Sequence, residues 1–284
     1  MLDITPDDIA ALQDDILREL VGRLCEASVR TSGLSLSAVT WSGHQDAADG
    51  GIDVRVEAGG ALSGFIPSQN TGYQVKKPDL APSAIRDEMA PDGILRPSIK
   101  ELVDRSGAYV IVSSGASVTD AALKLRKDAM RQAVAGVANG SALAVDFYDR
   151  RRLVTWLTEH PGLIPWVRAK AGRPISGWQS YGQWAVAPEG TDAPYLSDER
   201  IRLVASGHSS EALTALEGLK HVRDILRKPR KSVRLVGLSG VGKTRFVQAL
   251  FEDIGENPLD RSSVIYADMA DSPEPSPTAL VSQL

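Results

Sequence analysis

Three side chains in two short runs have the types and spacing to do chemistry. Asp53 closes Asp49-Gly-Gly-Ile-Asp53, and Gln74 and Lys76 stand two apart in Gly72-Tyr-Gln-Val-Lys-Lys77. Cleaving a phosphodiester requires a divalent cation to polarise the phosphate, a nucleophilic water and a positive group for the developing charge. A carboxylate and an amide oxygen are hard donors that suit magnesium or manganese, and a lysine supplies the positive group. Strand alternation puts Gln74 and Lys76 on one face and Tyr73, Val75 and Lys77 on the other, so a hairpin can aim Asp53, Gln74 and Lys76 at one point. The Gly50-Gly51 pair permits a tight turn just before the aspartate. An acid after a turn and an edge-strand lysine pair with no chemistry have the same spacing, so the residues alone leave both readings open.

Other candidates flank these. Glu19 lies at the edge of a helical apolar stripe, one turn before Arg23, and either pairs with that arginine or reaches toward the metal. His44, Asp46 and Asp49 stand on a glycine-rich, acidic loop leading to Asp53. His44 is read either as a base near the site or as polar surface.

A second signal lies far downstream. Gly237-Leu-Ser-Gly240-Val-Gly242-Lys243-Thr244 meets the Walker A pattern in full, with an apolar run before it and a helical pattern after it. In such a loop the backbone amides cradle phosphates. Lys243 reaches the β and γ phosphates of ATP, and Thr244 ligates magnesium. Val264 to Asp268 reads as a strand ending in an acid. Its closeness to Thr244 makes it the next strand in order rather than the hydrolytic motif.

The positioning elements follow from periodicity. Thr5-Pro6-Asp7-Asp8 starts a helix, predicted to run to about Ala27, with Ile9, Leu12, Ile16, Leu20 and Leu24 on its buried stripe. Leu36 to Trp41, Ile52 to Glu57, Tyr73 to Lys77, Ala108 to Val112 and Leu143 to Phe147 read as strands. Helices are expected at 98–106, 120–137 and 150–159, while the four prolines of 78–97 suggest a loop or a broken helix. A meander followed by strands alternating with helices predicts a mixed α/β sheet flanked by helices. Residues 171–200, rich in glycine, proline and aromatics, read as a connector. Beyond it, 209–226 is helix-like, and Ser232 to Leu238 is a predicted strand feeding the glycine-rich loop.

Composition bounds these readings. The 284 residues carry a net charge of -4, with 43% hydrophobic and 24% charged residues. These are the values of a water-soluble globular chain with enough apolar residue for real cores. The overall field does not attract nucleic acid, so any DNA contact depends on local basic patches. Residues 1–60 hold eleven acidic and four basic residues, whereas 121–152 hold seven basic and three acidic ones. The single cysteine, Cys25, lies in an apolar stripe and reads as a small core side chain, which excludes a disulfide framework. No leader pattern and no membrane-length apolar run is present in the sequence, so a cytoplasmic location without membrane contact is expected.

Gly51-Ile52-Asp53 with Gln74-Val75-Lys76 resembles the G-x-D…Q-x-K form of the PD-(D/E)xK superfamily of restriction-endonuclease-like nucleases, in particular its Mrr-like branch. Arg18-Glu19-Leu20-Val21 resembles the first helix of that family. Ala108 to Ser114 with Ala121-Ala122-Leu123, and then Leu143 to Leu153, resemble the strands and helices that follow its site. The likeness spans roughly residues 7 to 170. It implies that Asp53 is the principal metal ligand, that Gln74 adds its side-chain oxygen, and that Glu19 is an auxiliary ligand. It implies too that Lys76 orients the attacking water or neutralises the transition state. Glutamine replaces the usual second acid, so the metal would be held weakly, and Gln74→Glu is expected to tighten it.

Such a nuclease joined to a P-loop module resembles the antiviral STAND NTPases of bacterial antiphage defence. This resemblance implies a restriction-endonuclease-like domain (1–170), a connector (171–200) and the N-terminal portion of a P-loop NTPase domain (201–284). The natural chain is expected to continue past Leu284, into a sensor for a phage-derived trigger. Activation would proceed through homo-oligomers, with Mg2+ or Mn2+ and ATP as cofactors and double-stranded DNA as substrate. Lys77, Lys124, Lys127, Arg131 and Arg150 to Arg152 are candidate contacts to its backbone. Two rival readings are an NTP-dependent restriction endonuclease acting on modified DNA, and a nucleotide-switched scaffold whose nuclease fold is inactive.

Overall fold

In a computed structural model of the chain, residues 3–41, 50–60, 62, 64–115, 117–184, 202–204 and 212–281 are described. His44, Asp46 and Asp49 lie outside them. Two compact units are formed, Met1–Ser180 with Ser262–Leu284, and Tyr181–Arg261. The stretch expected as a connector is thus divided between them.

The first unit is built on a five-stranded sheet with strands in sequence order, β1 (Val39–Trp41), β2 (Val54–Glu57), β3 (Asn70–Lys76), β4 (Ala108–Ser113) and β5 (Ala144–Tyr148). β1, β2 and β3 pair antiparallel, and β3, β4 and β5 pair parallel. This is the mixed α/β sheet flanked by helices that the alternation of strand and helix patterns predicts. β4 is buried at all six positions, as a central parallel strand covered on both faces must be.

Two apolar layers cover the sheet. On one face, Val54, Val56, Tyr73, Val75, Val110, Val112 and Tyr148 pack with apolar residues of α1 (Pro6–Ala11), α2 (Asp14–Thr31), α6 (Arg150–Thr158) and α7 (Ile164–Lys170). On the other, Tyr109, Ile111 and Phe147 pack with α3 (Pro82–Met89), α4 (Pro97–Asp104) and α5 (Asp120–Val134). The first layer is centred on Trp156, fully buried, whose ring stacks on Phe65 at 5.3 Å and meets Tyr148 edge-on. Its indole N–H donates to Ser28 Oγ at 2.9 Å, and Ser28 Oγ also meets His160 Nε2 at 2.9 Å.

One local expectation needs correction. The single helix expected from Thr5 to Ala27 is broken, because buried Leu12 turns extended at ψ 142° and Asp14 and Asp15 start a new helix at its positive end. The proline-rich stretch at 78–97 takes the second of its two expected forms, a broken helix, with α3 ending at Met89 and α4 starting at Pro97. Pro82 stands in the first turn of α3, where its missing N–H costs nothing.

After β6 (Trp178–Ser180) the chain enters the second unit through α8 (Tyr181–Trp184), α9 (Ala215–Leu226) and α10 (Lys243–Ala249). Its core is Ala215, Leu219, Val222, Phe246, Ala249 and Leu250. Thr214 and Glu217 form a capping box that starts α9. The buried Arg223 donates to the carbonyls of Ala249, Leu250, Glu252, Ile254 and Glu256, tying α9 to the end of α10 and the turn after it.

The strand expected at Ser232 to Leu238 is not formed. Those residues have no ladder partner among the described residues, and Val233, Val236 and Leu238 are exposed. A strand needs a neighbour for its N–H and C=O groups. The strand expected next in order is formed as β7 (Ile265–Ala267), which pairs antiparallel with β6, and α11 (Pro277–Val281) follows.

Candidate functional site

Asp53 stands one residue before β2, and its N–H donates to Tyr73 O at 2.8 Å. The β2–β3 ladder ends at the Val54–Tyr73 pair, so the N–H of Val75 has no strand partner on that side. Asp53 Oδ2 fills the gap, accepting from Val75 N at 2.6 Å and from Gln74 Nε2 at 2.9 Å. The aspartate is therefore tied to the strand that carries Gln74 and Lys76.

The turn before Asp53 is fixed by two hydroxyls. Ser98 Oγ donates to Gly50 O, and Tyr109 Oη donates to Gly51 O at 3.0 Å. Burial pushes the Tyr109 phenol above its ordinary range, which keeps it protonated and able to donate. Gly51 has φ +93°, and a Cβ there would come 2.5 Å from Arg96 Cδ. Glycine answers both the left-handed backbone and the close approach.

Gln74 is the least satisfied member of the site. It is 4% exposed, its amide nitrogen is engaged with Asp53, and its Oε1 is buried with no hydrogen-bond partner. Leaving such an oxygen unpaired costs about 1–3 kcal/mol, so it is an acceptor waiting for a donor or a cation. The point where a Gly51 Cβ would stand is 3.4 Å from this oxygen.

Lys76 Nζ lies 3.4 Å from Glu88 Oε1 of α3, and Arg96 Nη2 lies 3.5 Å from the same oxygen. Glu88 and Arg96 come from the stretch whose prolines suggest a loop or a broken helix on the surface, and this is why sequence patterning misses them. Ile85 and Met89, both fully buried, carry the signal that could have found the helix.

Glu19 forms no hydrogen bond or ion pair with Asp53. Its Oε1 accepts from Arg23 Nε at 2.8 Å, the pairing that sequence spacing leaves open. Arg18, one residue earlier on α2, is the side chain that comes close, with Nε 3.0 Å from Asp53 Oδ1 though not aligned to donate. Arg18 Nη2 also pairs with Asp14 Oδ2 at 2.9 Å. Among the described residues, no three of His, Cys, Asp and Glu gather in a metal-binding group.

Several expected backbone contacts are engaged within the protein. Lys127 pairs with Asp146 at 2.6 Å, Arg131 with Asp128 at 2.8 Å and Arg150 with Asp7 at 3.5 Å. Lys77 reaches Gln13, and Arg152 lies over Phe65 and Tyr148. Lys124 and Arg151 are exposed.

In the second unit, Gly240 and Gly242 take φ +80° and +85°, left-handed backbone that glycine adopts without a Cβ clash. Gly242 is the N-cap of α10, and Thr244 lies exposed in its first turn. Lys243 Nζ folds back onto the loop, donating to Gly237 O at 2.9 Å and Leu238 O at 2.7 Å. No helix among the described residues is long and apolar enough to cross a membrane.

Comparison with protein-family models, curated proteins and solved structures found no match for this chain.

Proposed function

We propose that the first unit is a divalent-metal-dependent DNA endonuclease with a restriction-endonuclease-like site, controlled by a nucleotide-binding module and acting in antiphage defence. The observation that carries the nuclease reading is the orphaned, buried Oε1 of Gln74 beside the Asp53 carboxylate. A carboxylate with an unpaired amide oxygen is the donor set that a hard cation such as Mg2+ or Mn2+ takes. Asp53 and Gln74 would hold the ion, and Glu19 would join only after leaving Arg23. Bound there, the ion would supply Lewis-acid polarisation of the phosphate and a more acidic water.

The remaining work falls to the chain's own groups. Lys76 holds a positive charge beside the site, where it can steady the negative charge that builds on the phosphate. The Val75 N–H fixes the direction of Asp53, and Tyr109 and Ser98 hold the turn in front of it. Arg18 competes with an incoming ion for Asp53 Oδ1, which makes metal binding weak and displaceable.

Supercoiled plasmid with Mg2+ or Mn2+ is the test. The wild type is expected to nick it, and Lys76→Ala to cut about 10²–10³-fold more slowly, the usual cost of one transition-state contact. Equal cutting by both proteins would remove Lys76 from the mechanism. Cutting confined to methylated plasmid would favour the restriction reading. No cutting under any condition, with nucleotide binding intact, would favour the scaffold.

For the second unit we infer ATP binding at Gly237 to Thr244, supported by the full Walker A sequence and the positive-φ glycines. Lys243 would leave the Gly237 and Leu238 carbonyls for the β and γ phosphates, and Thr244 would face the magnesium. Lys243→Ala is expected to weaken binding of a fluorescent ATP analogue by at least tenfold, and unchanged affinity would exclude this loop.

A further inference from the structure

We propose that Arg96, held by Glu88 beside Lys76, is a second phosphate-binding cation of the nuclease site and contacts the backbone of the DNA being cut. The inference rests on the nuclease reading and extends it to a residue that no sequence motif singles out.

Arg96 is anchored on the same wall as the other site residues. Its Nε donates to the backbone carbonyl of Glu88 at 2.6 Å, and its Nη2 lies 3.5 Å from Glu88 Oε1. Lys76 Nζ lies 3.4 Å from that same oxygen, so one carboxylate gathers two cations. Its stem packs against the Gly51 turn, where a Cβ would be 2.5 Å from Arg96 Cδ and 3.4 Å from the unpaired Gln74 Oε1. The guanidinium is thus fixed close to the proposed metal ligands.

The trio Lys76, Arg96 and Glu88 carries one net positive charge, the complement of a single phosphodiester. Lys76 and Arg96 side chains are each 31% exposed, so both reach solvent, whereas that of Arg18 is only 12% exposed. Arg96 Nη1 has no partner among the described residues. A planar guanidinium with a free N–H pair is suited to phosphate oxygens, and the Glu88 contacts fix it in advance of binding. Lys127 and Arg131 of α5, by contrast, each have an aspartate of their own, so those pairs carry no net positive charge.

The experiment measures binding of a fluorescently labelled duplex by anisotropy, without divalent metal so that nothing is cut, over a range of salt concentrations. Removing one phosphate contact lowers the slope of log K against log salt by about one. Arg96→Gln is expected to show that loss and a weaker affinity, while Arg96→Lys recovers the slope. An unchanged slope in a folded Arg96→Gln protein overturns the proposal, as does an Arg96→Lys protein that shows the same loss, which would trace the effect to local disturbance rather than to the charge. If the wild type binds no duplex, the nuclease reading fails first, and that outcome is distinct from an Arg96 variant that binds as the wild type does.

Discussion

Asp53→Asn is expected to lower the affinity of this site for Mn2+ by more than about 100-fold, since even outer partners of metal ligands are worth roughly 10–100-fold. The substitution is chosen to spare the fold. Asparagine retains an oxygen to accept from Val75 N, the contact that closes the β2 side of β3 beyond the end of their ladder. Arg18 loses one partner but keeps Asp14 at 2.9 Å. What disappears is the only negative charge among the two residues proposed to hold the ion, Asp53 and Gln74. Gln74→Glu is expected to move affinity the other way. It places a second charge where an unpaired oxygen now lies, and without metal it sets two carboxylates against each other in place of the Gln74–Asp53 hydrogen bond. Calorimetric titration with Mn2+ reads both. Unchanged affinity in Asp53→Asn, or weaker affinity in Gln74→Glu, would remove these residues from the metal site.

The largest stability effect is expected at Trp156, far from that chemistry. Trp156→Ala should cost about 3–5 kcal/mol, as truncation of a fully buried large aromatic does. Three losses combine there. The stacked contact with Phe65 at 5.3 Å and the edge contact with Tyr148 go, a cavity opens beneath β3 and β5, and Ser28 loses an indole N–H that donates at 2.9 Å. Ser28 retains His160, so the polar pair is not wholly orphaned. Thermal unfolding followed by circular dichroism should drop by on the order of 10 °C. A shift of a degree or two would show that the layer between β3 and α6 is not where stability resides.

The sheet was legible because its signals are local. Alternation at Val54 to Glu57, an unbroken apolar run at Ala108 to Val112 and helical spacing in Asp120 to Val134 each report one element's own burial. The juxtaposition of Asp53 with Gln74 was legible for the same reason, since the strand pattern sets their register. Glu88 and Arg96 were not. Their place in the site is decided by how α3 packs on the sheet through Ile85 and Met89, a tertiary fact that prolines at 78–97 disguise. Glu19 shows the converse case. Its spacing to Arg23 allowed a surface pair, and local geometry prevailed over a reach across the sheet end. Ser232 to Leu238 carries an apolar pattern too, but a strand also requires a neighbour, and among the described residues that stretch has none.

The central claim is that Asp53 anchors a metal-dependent phosphodiesterase site. The most direct measurement compares nicking of supercoiled plasmid by wild type and Asp53→Asn at equal concentration in Mn2+. Nicking by the wild type and none by Asp53→Asn is the result expected. Equal nicking by the two proteins would contradict the assignment.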